Sequence, residues 1–165
     1  MQNYDTFWND LISGKFASLV ASVSKRKEVN SPEEVYNITK PLFAAQPDVE
    51  QMYALLLDPA NRIMTIEKIS SGTIDKCHVF VREIIKSCIK NKAKYVILVH
   101  NHPSGNAAIS DADILFTKKT FLALSFADIG LLDHLVVGDG FSSVMSECNV
   151  KNWMEIHDKI LAGWV

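Results

Sequence analysis

The sequence predicts an α/β fold in which helices sandwich a mixed β-sheet. Three observations carry that expectation. Short apolar, β-branched runs interleave with longer segments of helical periodicity. One run, Tyr95-Val96-Ile97-Leu98-Val99, is continuously apolar, the pattern of a strand buried on both faces. No repeat, low-complexity stretch or long linker breaks the alternation, and 165 residues suit one domain that buries well over half of its unfolded surface.

From Thr6 to Val23 the apolar positions Phe7, Trp8, Leu11, Ile12, Phe16, Leu19 and Val20 have partial helical spacing, interrupted at Ser13-Gly14, which predicts one or two short helices. The aromatic stripe Phe7, Trp8 and Phe16 reads as a packing face that could also serve a homodimer. Ser31-Pro32-Glu33-Glu34 is a capping box with proline at the first helical position, opening a helix to about Ala45. Gln51–Leu57 and Arg62–Ile69 read as strands joined by the turn Asp58-Pro59-Ala60-Asn61, a hairpin that would place Glu67 near the end of the sheet. Residues 79–91 put Ile84, Ile85, Cys88 and Ile89 on one helical stripe against Lys86 and Lys90. The strand at 95–99, a helix from Asp111, strands near 131–138 and 141–145, and a final helix from about Val150 to Leu161 complete the order.

Composition narrows the class. Hydrophobic content of 48% with 22% charged residues is ordinary for a soluble globular chain. A net charge of −2, from 17 basic and 19 acidic side chains, gives no broad field for nucleic acid or anionic lipid. The basic clusters Lys25-Arg26-Lys27 and Lys86, Lys90, Lys92, Lys94 read as solvated helix faces rather than a DNA patch. Cys77, Cys88 and Cys148 are too few and scattered for a disulfide framework, which implies a reducing cytoplasm. The start of the chain lacks a signal-peptide pattern, and no stretch approaches the ~20 apolar residues that would span a bilayer.

The chemistry concentrates in residues 100–113. His100 and His102 extend the strand 95–99 as an i, i+2 pair, so both rings point to one face while Asn101 points away. Pro103 removes a ladder donor and Ser104-Gly105 permits a sharp turn. Ser110-Asp111-Ala112-Asp113 is a Ser-x-x-Asp helix start with Ser110 at the N-cap, and the helix dipole favours the ionised Asp113 carboxylate. Two imidazoles and a carboxylate match the three protein ligands of catalytic zinc sites, which leave a fourth position to water. Zinc lowers the pKa of that water from ~15.7 to about 7. His134, behind an aspartate in an apolar strand, reads as a buried, hydrogen-bonded histidine rather than a fourth ligand. Asn101 reads as a brace for the loop, and Ser104 as a cap or support for the turn. His78 and His157 read as surface residues.

The combination His-x-His-Pro, a short polar loop and Ser-x-x-Asp resembles the JAMM, or MPN-plus, motif of zinc metallopeptidases and isopeptidases. Its HNHPSG form is similar to the bacterial RadC branch. Leu132-Asp133-His134-Leu135-Val136-Val137-Gly138, Thr117, Glu67-Lys68-Ile69-Ser70-Ser71-Gly72-Thr73 and Arg82-Glu83 extend the resemblance over roughly residues 30–147. It implies a JAB/MPN-like α/β domain over residues 29–165, after an N-terminal helical extension at 1–28. It also implies His100, His102 and Asp113 as zinc ligands, Glu67 as general acid/base and Ser110 as support for the tetrahedral intermediate. Spacing alone leaves Glu50, Glu83 and Glu147 as competitors of Glu67.

Three departures from the family pattern stand out. Phe80-Val81 replaces His-Pro, Ile109 replaces the proline before the motif serine, and residues 1–28 carry no Gly-x-Gly hairpin, which suggests a short stand-alone domain. The leading expectation is a zinc-dependent hydrolase of amide bonds, acting on a protein or peptide, in which Glu67→Gln keeps zinc and loses turnover. The alternative is a DNA repair or recombination accessory, which net charge does not support. A non-catalytic interaction module is the third reading, against which the intact ligand set argues.

Overall fold

The computed structural model describes residues 6, 9–10, 13, 15–71 and 77–163. Its elements run α1 (Lys15–Val23), α2 (Pro32–Thr39), a 3₁₀ turn (Lys40–Phe43), β1 (Gln51–Leu57), β2 (Ile63–Ser71), α3 (Cys77–Asn91), β3 (Tyr95–Asn101), α4 (Asp111–Ser125), β4 (Gly130–Val137), β5 (Phe141–Ser143), α5 (Val144–Glu147) and α6 (Val150–Ala162). The five strands form one sheet in the order β2-β1-β3-β4-β5, in which only β3 and β4 are parallel. The expected mixed sheet between helices is therefore present.

Both faces of the sheet are covered. On one, Val35, Ile38, Leu42 and Phe43 from α2 and the 3₁₀ turn pack on Tyr53, Leu55, Leu57, Ile97 and Val99, with Val20 and Ala21 of α1 against the same cluster. On the other, Ile84 and Cys88 of α3 and Phe116 and Leu124 of α4 pack on Met52, Ala54, Leu56, Val96 and Leu98. Trp153 of α6 joins Val136 and Val144 in a third cluster. The apolar run of β3 thus contributes to both layers, as its sequence requires. No helix among the described residues is long and apolar enough to cross a membrane.

Three expectations needed correction. The helix expected to reach Ala45 ends as α-helix at Thr39 and tightens into the 3₁₀ turn, because Pro41 has no N–H for the α ladder. The strand expected at 141–145 stops at Ser143, whose hydroxyl accepts the Ser146 amide and starts a helical turn. Glu67 lies mid-strand opposite Ala54, not at the end of the sheet, and a register shift between Leu56 and Leu57 breaks the alternation that would have aligned it with Ile63. The stripe residues Phe7 and Trp8 and the segment 72–76, with Gly72 and Thr73, lie outside the described residues, as do the side chains of Phe16, His78 and Phe80.

Candidate metal centre

The end of β3, the start of α4 and the residue before β1 meet at one point. Parallel pairing with β4 carries β3 to Asn101, and the His102 amide still reaches the Val137 carbonyl at 2.8 Å. His100 is fully buried and His102 partly so. Their Nε2 atoms lie 3.1 Å apart. Asp113 brings Oδ1 to 3.2 Å from His100 Nε2 and Oδ2 to 3.7 Å from His102 Nε2.

The hydrogen-bond network fixes what these atoms can do. His102 Nδ1 is 2.8 Å from the Asn106 carbonyl, which can only accept, so Nδ1 carries the proton and Nε2 a lone pair. The Thr117 hydroxyl has one proton, taken by the Asp113 carbonyl at 2.6 Å, so it accepts from His134 Nδ1 at 2.6 Å. His134 is fully buried, and burial holds its pKa well below the ordinary imidazole value, so the ring is neutral. Its Nε2 then accepts from His100 Nδ1 at 2.8 Å, which leaves His100 Nε2 bare as well. Tautomers assigned in this way from the network turn two lone pairs and a carboxylate toward each other.

Such a group is repulsive without a cation between its members. Ligand atoms 2.0–2.1 Å from a tetrahedral zinc stand about 3.3 Å apart, close to the separations among His100, His102 and Asp113. The donor set therefore fits a divalent metal. Burial pushes the Asp113 carboxyl up, but positive charge on its His100 side and the Ser110 hydroxyl and amide pull it further down, to well below the ordinary carboxylate range; with His100 neutral, a cation held at the imidazoles would supply that charge. Ser110 and Asp113 form the expected capping box: the Asp113 amide donates to Ser110 Oγ at 3.1 Å, while Ser110 Oγ and N donate to Asp113 Oδ2 at 2.6 and 2.9 Å. That arrangement ties up Oδ2 and turns Oδ1 to His100.

Glu50 completes the group. Its carboxylate and the nitrogens of His100 and His102 offer ligand atoms that all lie within 4.8 Å of one another. Glu67, the sequence-based choice for acid/base, is not brought there. It is opposite Ala54, which is opposite Leu98, so β1 stands between it and the histidine strand. Its carboxylate accepts a short hydrogen bond from Ser87 Oγ and another from Asn91 Nδ2 at 3.0 Å, tying the edge strand to α3. Asn101 points to the other face of β3, as expected, but braces the segment leading into β1 rather than the loop after β3. Ser104 does support its turn, accepting the Asn106 amide at 3.3 Å. His157 sits partly buried on α6, its ring tilted against that of Phe126 and bonded to Asp158.

Residues 29–150 match the RadC-like JAB domain family. The chain belongs to this family. It is 38% identical over 151 residues to a UPF0758 protein of Pseudomonas fluorescens, covering 85% of this chain and 66% of that one. A UPF0758 protein of Finegoldia magna is 49% identical over 98 residues, 59% of this chain and 44% of the relative. One from Methanosarcina mazei is 35% identical over 127 residues, 76% and 55% respectively. The chain thus spans two thirds or less of the length of these relatives.

Within this JAB domain, the loop after His102 is held by the turn that follows β4. Gly105 adopts φ +80°, its carbonyl accepts the Asp139 amide at 2.7 Å, and a Cβ on Gly138 would stand 2.1 Å from the Gly105 oxygen. Ile109, in place of the family's proline, packs against the Val136, Val144 and Trp153 cluster and anchors the far end of the same loop.

Proposed function

We propose that this protein is a metal-dependent hydrolase of amide bonds, of the peptidase or isopeptidase kind, with zinc as its metal. The observation that carries the reading is the convergence of two histidine lone pairs and a buried carboxylate at 3.1–3.7 Å, with Glu50 beside them. In this reading His100, His102 and Asp113 hold the ion, and Glu50 takes the acid/base role that the family resemblance implied for Glu67. A zinc ion bound there supplies Lewis-acid polarisation of a carbonyl and a water that ionises near neutral pH. Glu50 accepts a proton from the attacking water and returns it to the leaving amine. The Asp113 carbonyl, Thr117 and His134 keep His100 in the metal-accepting tautomer, and the Asn106 carbonyl does the same for His102, the task usually left to groups behind the ligands. Ser110 holds Asp113 through its cap bonds, and turning its hydroxyl from Asp113 would let it donate to an oxyanion.

Elemental analysis of the purified chain after dialysis tests this. The expected result is about one zinc per chain, lost in both His102→Ala and Asp113→Ala. A full complement of zinc in either variant, or none in the wild type after supplementation, rejects the assignment.

One observation favours a second reading, a nucleic-acid accessory. Lys25, Arg26 and Arg62 line one open cleft of about 560 Å³, although Asp58 in the same cleft pairs with Arg62 at 2.7 Å. DNA affinity that falls steeply with salt and is lost in Lys25→Ala/Arg26→Ala would support it.

A further inference from the structure

Asn101 stands between the two histidines in sequence, yet its side chain works on the opposite face of the sheet. It is buried, 6% exposed. The regular β1–β3 ladder ends at the pair Met52 and His100. Beyond that rung the Asn101 side-chain amide takes over the pairing. Its Oδ1 accepts the Gln51 backbone N–H at 2.8 Å, and its Nδ2 donates to the Val49 carbonyl at 3.1 Å.

These two backbone groups belong to the two peptide units that flank Glu50. The Val49 carbonyl lies in the peptide before its Cα and the Gln51 amide in the peptide after it. Fixing both planes fixes φ and ψ of Glu50, and with them the direction in which Cβ leaves the backbone. A side-chain amide thus does for one residue what a neighbouring strand would do, one position beyond the last rung of the ladder.

We infer that Asn101 is a positioning residue for Glu50, holding its carboxylate toward His100 and His102 by clamping the backbone on either side of it. The inference rests on the reading of Glu50 as the group that serves the metal centre. Asn101 contributes no atom to that centre. Its loss therefore moves Glu50 and leaves the metal ligands, which are bonded through the other face, in place.

Cobalt(II)-loaded protein provides a readout that needs no substrate, since its visible absorption reports the surroundings of the ion. The variants are Asn101→Ala, Asn101→Asp, Glu50→Gln and the double variant Asn101→Ala/Glu50→Gln. Asn101→Asp keeps the acceptor for Gln51 and removes the donor to Val49. The expected result is one cobalt per chain in every variant, with affinity within about threefold of wild type, against the 10–100-fold typical of lost groups behind metal ligands. Both Asn101 variants move the absorption spectrum toward that of Glu50→Gln, and Asn101→Ala adds nothing in the Glu50→Gln background. An Asn101→Ala spectrum identical to wild type while Glu50→Gln differs overturns the inference alone. Loss of cobalt from Asn101→Ala also overturns it, by making the residue a general support of the strand end. A Glu50→Gln spectrum identical to wild type removes the reading of Glu50, and the inference falls with it.

Discussion

Glu50 and Glu67 are the same residue type, one standing just before β1 and the other within its hairpin partner β2, yet the fold gives them opposite surroundings. Glu50 enters β1 at the edge of the histidine site. Glu67 sits in the middle of the edge strand, where Ser87 and Asn91 use its oxygens. At Glu67 the carboxylate is committed to α3, which holds it away from the histidine strand.

The comparison breaks most visibly in turnover. Once a peptide or isopeptide substrate is in hand, Glu50→Gln is expected to lower kcat by about 10²–10⁴, the range for a general acid/base, while Glu67→Gln stays within about threefold of wild type. Steady-state kinetics of zinc-loaded variants checks this, and the reverse pattern would restore Glu67 to the mechanism.

A smaller effect sharpens the metal side. Thr117→Val removes the hydroxyl that accepts from His134 and donates to Asp113, so the His100 tautomer loses its fixed partner. Zinc affinity measured by chelator competition is expected to fall about 10–100-fold with the fold intact. An unchanged affinity would show that the chain of bonds behind His100 does not tune it.

The smallest effect belongs to the Glu67 side. Glu67→Gln turns an amide N–H2 toward groups that now donate to a carboxylate, and urea denaturation is expected to register a loss of about 1–3 kcal/mol. Cys88 reports the same change. Burial first, and the Glu67 charge second, push its thiol up to about 11, so at pH 8 only about one molecule in a thousand carries the reactive thiolate. Removing that charge lowers the thiol pKa, and Cys88 alkylation should accelerate modestly in Glu67→Gln. Equal labelling rates in the two proteins would dissociate Cys88 from Glu67.

Much of this was legible because short-range rules decide it. The i, i+2 histidines share a face through the two-residue period of a strand, and Asp113 is tied to Ser110 by a cap readable from four letters. Glu50 was not legible in that sense. It lies fifty residues before His100 in the chain, and only the antiparallel register of Met52 on His100 brings it close. An acid at the mouth of an apolar strand is a usable signal once that strand is known to pair with the histidine strand, and periodicity does not supply the pairing. The family resemblance points to Glu67 instead, which the pairing of β2 on β1 and of β1 on β3 keeps one strand away from the histidines. Among the described residues, the element boundaries depart from the sequence pattern where a single side chain overrides it, Pro41 ending a helix and Ser143 starting one.

The parallel pairing of β3 with β4 has a temporal consequence. During synthesis the histidines of β3 leave the ribosome before the strand that carries His134, and α4 with Asp113 comes between. At about 5–20 residues per second, the gap between His100 and His134 lasts some seconds. Through that interval Asp113 is not yet docked against the imidazoles, and His100 lacks the ring that selects its tautomer. The geometry of the proposed metal centre is therefore complete only once β4 has emerged and paired with β3, after the helix that carries Asp113.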